Sequence, residues 1–186
     1  IYSVIPVSVS GLPDGSNVSA VAAGDLFACA IISGGVKCWG DNTYGQLGDN
    51  STTMRLTPVV AIASGSGATS IALGKYHACA LLGDVVKCWG YNNYGQLGDG
   101  STTQRNTPVQ AIATGTGATA ITAGSNHSCA VVSGGAKCWG YNGYGQIGDN
   151  TLTSRNTPTA VNSLGSGTGV TAIAGGEGHT CAIVSS

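Results

Sequence analysis

The sequence predicts an all-β protein built as a propeller of four-stranded blades. Three observations carry that prediction: an internal repeat of 50 residues, several short β-branched runs per repeat, and no long amphipathic helical stretch. The repeat is plain in CWGDNTYGQLGDNSTTMRLTPV, CWGYNNYGQLGDGSTTQRNTPV and CWGYNGYGQIGDNTLTSRNTPT. Trp39, Trp89 and Trp139 are each 50 residues apart, as are Pro58, Pro108 and Pro158. A fourth unit starts with a shift of two, since His179 and Cys181 follow His127 and Cys129 by 52. A single propeller segment of about three and a half blades is therefore expected. Its units run approximately over 1–18 (the end of a blade), 19–68, 69–118, 119–169 and 170–186 (an incomplete last blade).

The second unit shows the grammar of a blade. Residues 68–73 read as the first strand, 78–82 as the second, 85–89 as the third and 109–112 as the fourth, matching 59–62 in the unit before. Gly-Lys-Tyr joins the first pair, Gly83-Asp84 the second, and the stretch 91–108 is a long connection rich in Asn, Gly, Ser and Thr. The alanines of HACAL suit close approach of neighbouring sheets, and one Trp per unit fills the wedge between them. Near the start, Ile5-Pro6-Val7-Ser8-Val9 aligns with the strand that follows Thr57-Pro58.

The cysteines follow the same period. Cys29 and Cys38, Cys79 and Cys88, and Cys129 and Cys138 are each separated by nine. With Gly83-Asp84 as a two-residue hairpin loop, residues whose numbers sum to 167 face one another, so Cys79 opposes Cys88 at a non-hydrogen-bonded site about 4.5 Å across. That is within reach of a disulfide. Sums of 67 and 267, with Ser33-Gly34 and Ser133-Gly134 as loops, give the other pairs. A metal site of His77, Cys79 and Cys88 competes. It is disfavoured because Phe27 replaces the His in the first unit and zinc ligands usually come in closer pairs. His77, His127 and His179 are expected to bond a neighbouring loop carbonyl. Cys181 has no partner nine residues on, and is read as free or as bridging to another chain.

Composition removes other classes. Charged residues are 8% of the chain and Lys+Arg number 7 against 8 Asp+Glu, with no basic cluster, so nucleic acid is not an expected partner. No apolar run approaches the roughly 20 residues of a membrane helix. Asp49, Asp99 and Asp149 open a G-D-[NG] segment that lacks the acidic ladder of a calcium loop, and are read as turn caps paired with Arg55, Arg105 and Arg155. No phosphate loop, catalytic constellation or cofactor motif is found.

The strings G-x-x-H-x-C-A, V-K-C-W-G-x-N and Y-G-Q-L-G-D resemble the regulator of chromosome condensation repeat, and the Cys-bearing version resembles bacterial secreted members. The resemblance implies a seven-bladed ring, which at this period takes about 350 residues, so the chain is expected to be half of one. It would then be a segment of a longer polypeptide, one half of a two-copy ring, or a protomer whose open blade takes a neighbour's strand and propagates into a filament. The family serves nucleotide exchange, ultraviolet sensing, β-lactamase inhibition and general protein binding. The photoreceptor's G-W-R-H-T motif reads here G-D-L-F-A, G-K-Y-H-A and G-S-N-H-S.

The expected function is a non-catalytic, extracellular or cell-surface scaffold that binds a protein, copies of itself included. Tyr44, Tyr91, Tyr94, Tyr141 and Tyr144 recur at one blade position and form the candidate binding arc, with packing against the next blade as the alternative. Ser51, Thr52, Thr53, Ser101, Thr102 and Thr103 are read as exposed hydroxyl clusters. Asn17, Asn50 and Asn126 fit the glycan acceptor pattern. The rival readings are a carbohydrate-binding module and an enzyme with its site in the central channel. The channel enzyme needs convergent carboxylates or histidines at one rim, and the residues that depart from the repeat, Phe27, Asp41, Lys75 and Glu177, share neither type nor position.

Overall fold

The computed structural model describes residues 7–12 and 15–185. Its first sheet joins β1 (Val18–Ala23), β2 (Phe27–Ile32), β3 (Gly35–Gly40) and β4 (Arg55–Ile62) in sequence order. The second joins β5 (Ala68–Leu73), β6 (His77–Leu82), β7 (Val85–Gly90) and β8 (Arg105–Ile112). The third joins β9 (Ala118–Ala123), β10 (His127–Val132), β11 (Gly135–Gly140) and β12 (Arg155–Ala160), and β13 (Val170–Gly175) pairs with β14 (Thr180–Val184). All pairings are antiparallel. The first strands β1, β5, β9 and β13 pack against one another, whereas β4, β8 and β12 barely meet, so the sheets fan out from a common axis. This is about three and a half blades of a propeller.

The hairpin registers are those expected from the two-residue loops. Cys79 faces Cys88 and Leu82 faces Val85, and the same register recurs at Cys29/Cys38 and Cys129/Cys138. At Ser33-Gly34 and Ser133-Gly134 both loop residues have positive φ, the type I′ geometry that matches strand twist. All three cysteine pairs are disulfides with Cα atoms 4.1 Å apart, so the metal alternative is displaced at these positions.

The fourth strand is longer than expected. It starts at Arg55, Arg105 and Arg155 rather than after the prolines, because a bulge beside Trp39, Trp89 and Trp139 restores pairing between Gly40 and Arg55 and their equivalents. Pro58, Pro108 and Pro158 are tolerated there because these strands lie at the sheet edge. Near the start, Val7, Ser8 and Val9 form no strand, and Ile5 and Pro6 lie outside the described residues.

The core lies between blades. Trp89 is fully buried against Phe27, Leu47 and the Cys29–Cys38 pair of the preceding sheet. Trp139 is buried in the same way with Leu97 and Cys79–Cys88. The third such cluster, Cys129, Cys138 and Ile147 with Val161 and Ile173, contains no tryptophan.

Candidate functional site

The long loop after each third strand is organised by one buried asparagine. Asn42, Asn92 and Asn142 are fully buried. Each accepts the backbone N–H of Leu47, Leu97 or Ile147 at 2.9–3.0 Å. The Nδ2 of Asn42 donates to Asp49 and to the carbonyls of Ser51 and Thr53, and Asn92 and Asn142 repeat the pattern. A buried amide left without these partners would cost about 1–3 kcal/mol, so the loop closes around it. Asp49, Asp99 and Asp149 cap the turn as expected and pair with Arg55, Arg105 and Arg155 at 2.6–2.8 Å. Burial disfavours ionisation of Asp49, but hydrogen bonds from Ser51, Arg55 and Asn42 outweigh it and hold the carboxyl below its ordinary range.

Gln46, Gln96 and Gln146, also buried, accept the backbone N–H of Tyr44, Tyr94 and Tyr144 at 2.8–3.0 Å and so fix the tyrosines. Asp41 departs from the repeat for a local reason: its Oδ2 accepts Gln46 Nε2 at 2.6 Å. In the second blade Tyr91 takes its place, and Gln96 Nε2 is buried without a partner.

The rings themselves form a continuous chain. Centroid separations are 5.0 Å for Tyr76–Tyr44, 4.9 Å for Tyr44–Tyr91, 6.2 Å for Tyr91–Tyr94, 4.9 Å for Tyr94–Tyr141 and 5.8 Å for Tyr141–Tyr144. The links Tyr44–Tyr91 and Tyr94–Tyr141 cross from one blade to the next, so packing and display coexist. Tyr44, Tyr91 and Tyr141 are half-buried, while Tyr94 and Tyr144 stay 39% and 78% exposed. Partial burial and the neighbouring Tyr94 raise the Tyr91 phenol above its usual range. Tyr76, in the turn between β5 and β6, was not among the expected arc residues. It occurs in one unit only, so periodicity could not reveal it, and Lys75 Nζ sits 5.2 Å from its ring centre.

The turns between first and second strands surround an open cleft of about 450 Å3 at the axis, lined by Gly24, Gly74, Gly124 and Gly176 with Asp25, Lys75, Ser125 and Glu177. Among the described residues no group of three or more His, Cys, Asp or Glu side chains could hold a metal.

The histidines differ from expectation. His77 Nε2 lies 2.9 Å from Ser128 Oγ, and His127 Nε2 lies 2.9 Å from Thr180 Oγ1, so the partner is a hydroxyl on the next blade and not a loop carbonyl. Each hydroxyl gives its one hydrogen to a carbonyl, Ser128 to Gln96 and Thr180 to Gln146, both at 2.9 Å. The ring nitrogen must therefore donate, which assigns the neutral Nε2–H tautomer and leaves Nδ1 buried and unpartnered. Burial, with a smaller contribution from the next histidine, pushes His77 down to about 3 and His127 to about 4. His179 is exposed.

Other expected positions scatter. Ser51 and Ser101 turn inward, donating to Asp49 and Asp99 at 2.7 Å, so they are not free hydroxyls. Thr52, Thr53, Thr102 and Thr103 are exposed, as are Asn17 and Asn50. Asn126 is half-buried, and the Ser128 of its acceptor pattern is fully buried. Cys181 is a free, exposed thiol.

Family models for the regulator of chromosome condensation (RCC1) repeat match residues 33–81, 86–131 and 134–183, and a second model of that repeat matches 18–46, 68–96 and 118–146. The chain belongs to the RCC1 repeat family. No curated protein sequence matches it. Among solved structures, this RCC1 chain is similar to human WBSCR16, with 26% identity, a TM-score of 0.79, and coverage of 93% of this chain and 46% of that one. It is similar in fold to Prp20p from Saccharomyces cerevisiae, at 20% identity and a TM-score of 0.76, covering 89% of this chain and 43% of that one. The ectodomain of the Physcomitrella patens receptor kinase CR4 shares the fold at 23% identity and a TM-score of 0.58, covering 92% and 40%. The RCC1 chain spans less than half the length of these structures.

Proposed function

We propose that this RCC1 repeat scaffold is a non-catalytic, extracellular protein-binding module whose contact surface is the tyrosine chain. The observation that carries the reading is the six linked rings, held by buried Gln and Asn side chains and still exposed at Tyr94 and Tyr144. Rigid aromatic rings with polar tips bury much area at low entropy cost, as interface anchors do. The Saccharomyces proteins of this fold agree with the same reading, since Prp20p binds Gsp1p and histones and Kap60 binds yeast RCC1. Three buried disulfides in a charge-poor chain support an oxidising, extracellular setting.

The test places a photo-crosslinking benzoylphenylalanine at Tyr94 or Tyr144 and, as a control, at the outer-edge position Val60, then exposes each variant to secreted proteins from the source cells. A discrete adduct at the two tyrosine positions, absent at Val60 and competed by unmodified chain, is the expected result. Equal labelling at all three, or none, overturns the reading. Self-assembly is a second reading, favoured by the exposed Ile183 and Val184 of β14, 64% and 45% accessible. Filaments or closed dimers under the electron microscope would support it.

A further inference from the structure

We infer that the tyrosine chain is a site of oxidative cross-linking, where a one-electron oxidant of the haem peroxidase class joins facing phenols as dityrosine and so stitches one blade to the next. The ring spacings point to it. Among the described residues, every ring contact that crosses a blade boundary is short: 5.0 Å for Tyr44–Tyr76, 4.9 Å for Tyr44–Tyr91 and 4.9 Å for Tyr94–Tyr141. Every ring contact within one repeat is longer, at 6.3 Å for Tyr76–Tyr91, 6.2 Å for Tyr91–Tyr94 and 5.8 Å for Tyr141–Tyr144. Packed aromatic pairs span about 4.5–7 Å, so the closest approaches are kept for the seams. Both seams lie between complete four-stranded blades.

The backbones at the seams are pinned. Tyr44 and Tyr94 donate their N–H groups to the buried side chains of Gln46 and Gln96 at 2.8 and 3.0 Å. Facing them, Tyr91 and Tyr141 donate theirs to the carbonyls of Tyr76 and Asn126 at 2.9 and 2.8 Å. Two rings held this way react as an intramolecular pair, whose effective concentration exceeds any that free chains reach in solution. Tyr94 is exposed to the oxidant, while Tyr44, Tyr91 and Tyr141 are half-buried and so shielded from a second chain.

Each phenol of a pair gives up one electron and one proton, and the two phenoxyl radicals form a carbon–carbon bond between the positions ortho to their hydroxyls. The hydrogens on those two carbons then shift to the oxygens and restore both phenols. Hydrogen peroxide, acting through the peroxidase, takes the two electrons and two protons and leaves as two waters. Per coupling the chain loses two hydrogens and gains a bond between blades, whereas the three disulfides each lie within one hairpin.

The test treats the full chain, its Cys181 thiol first capped with iodoacetamide, with a haem peroxidase and limiting hydrogen peroxide. Monomers lighter by two hydrogens per coupling should appear with blue dityrosine fluorescence, and peptide maps should join Tyr94 to Tyr141 and Tyr44 to Tyr91 or Tyr76. Tyr141→Phe should abolish the first bond and spare the second, and Tyr44→Phe should do the reverse. Oxidation in unfolding urea, where the rings meet only by chance, should lower the yield of both bonds at least roughly tenfold. Equal yields from folded and unfolded chain would overturn the inference. Coupling only between chains through the exposed Tyr144, or oxygen addition without coupling, would do the same. These are the rings of the proposed contact surface, but the coupling needs no partner protein; photo-adducts at Tyr94 are read in a separate reaction, so either proposal can fail alone.

Discussion

The junction between the second and third blades and the junction between the third blade and β14 have nearly the same residues on one side. Both present a buried glutamine whose carbonyl takes a hydroxyl from the next sheet, Ser128 in one and Thr180 in the other. They differ in the strand beyond. With β11 in place, every residue of β10 is buried. Among the described residues β14 pairs with β13 alone, and Cys181, Ile183 and Val184 are exposed. Burial here is thus a property of the pair of sheets: the same alternation of small and apolar side chains makes a core or a surface according to whether a tryptophan-bearing strand closes it.

The largest expected effect comes from breaking the closed junctions. Trp89→Ala or Trp139→Ala removes a fully buried indole and its hydrogen bond, and should cost about 3–5 kcal/mol in urea unfolding. Trp39→Ala is the internal control. Trp39 is only half-buried, so it should lose less than half as much. Equal losses at all three would mean that the wedge between blades is not what the indoles stabilise.

Next in size are the disulfides. Replacing Cys79 and Cys88 together by alanine opens a short loop, worth about 2.7 kcal/mol in the chain-entropy account. The comparison sharpens kinetically. Iodoacetamide should modify Cys181 at once in the native chain, whereas the three buried pairs should resist reduction until the protein unfolds. Early reduction of Cys129–Cys138, beside the open junction, before the other two would show that closure protects the bond.

Acid titration tests the same contrast at the histidines. A folded-state pKa below the unfolded value means that the unfolded chain takes up the proton first, so stability is complete above about pH 6.5 and falls as pH drops toward the folded value. For His77, pushed down to about 3, the loss is roughly 2 kcal/mol by pH 5, at about 1.4 kcal/mol per further unit. Urea midpoints measured from pH 7 to pH 4 check it. Joint His77→Phe and Ser128→Ala substitution copies the first junction, where Phe27 and Ala78 stand, and should remove that share of the acid sensitivity. His127 contributes the same sign over a narrower window, ending near 4.

These contrasts mark where the sequence was informative. Period, hairpin loops and cysteine register were legible because each depends on neighbours within one repeat, and an Asn, Gly or Cys recurring every 50 residues reports a fixed backbone position. The early start of the fourth strand was not legible, since a bulge beside Trp39 re-pairs Gly40 with Arg55 across a polar stretch that reads as loop. The histidine partners were also hidden. Ser128 and Thr180 lie 51 and 53 residues beyond the rings they meet, at a position held by alanine in the first two units, Ala28 and Ala78. Tyr76 joined the aromatic chain through a contact between blades, for which a single unrepeated tyrosine gives no signal.

The smallest effect should be indifferent to closure. Asp49–Arg55, Asp99–Arg105 and Asp149–Arg155 are each made within one loop, with the arginine side chains 39%, 39% and 35% exposed. Solvent screening limits such pairs to roughly 0.5–1 kcal/mol. Arg105→Ala and Arg155→Ala should therefore cost the same within about 0.3 kcal/mol, although one loop faces a complete blade and the other the two-stranded β13–β14 sheet. A distinctly larger loss for Arg105→Ala would show that the loop itself is braced by the blade that follows, and would move the boundary of the cooperative unit from the single sheet to the pair.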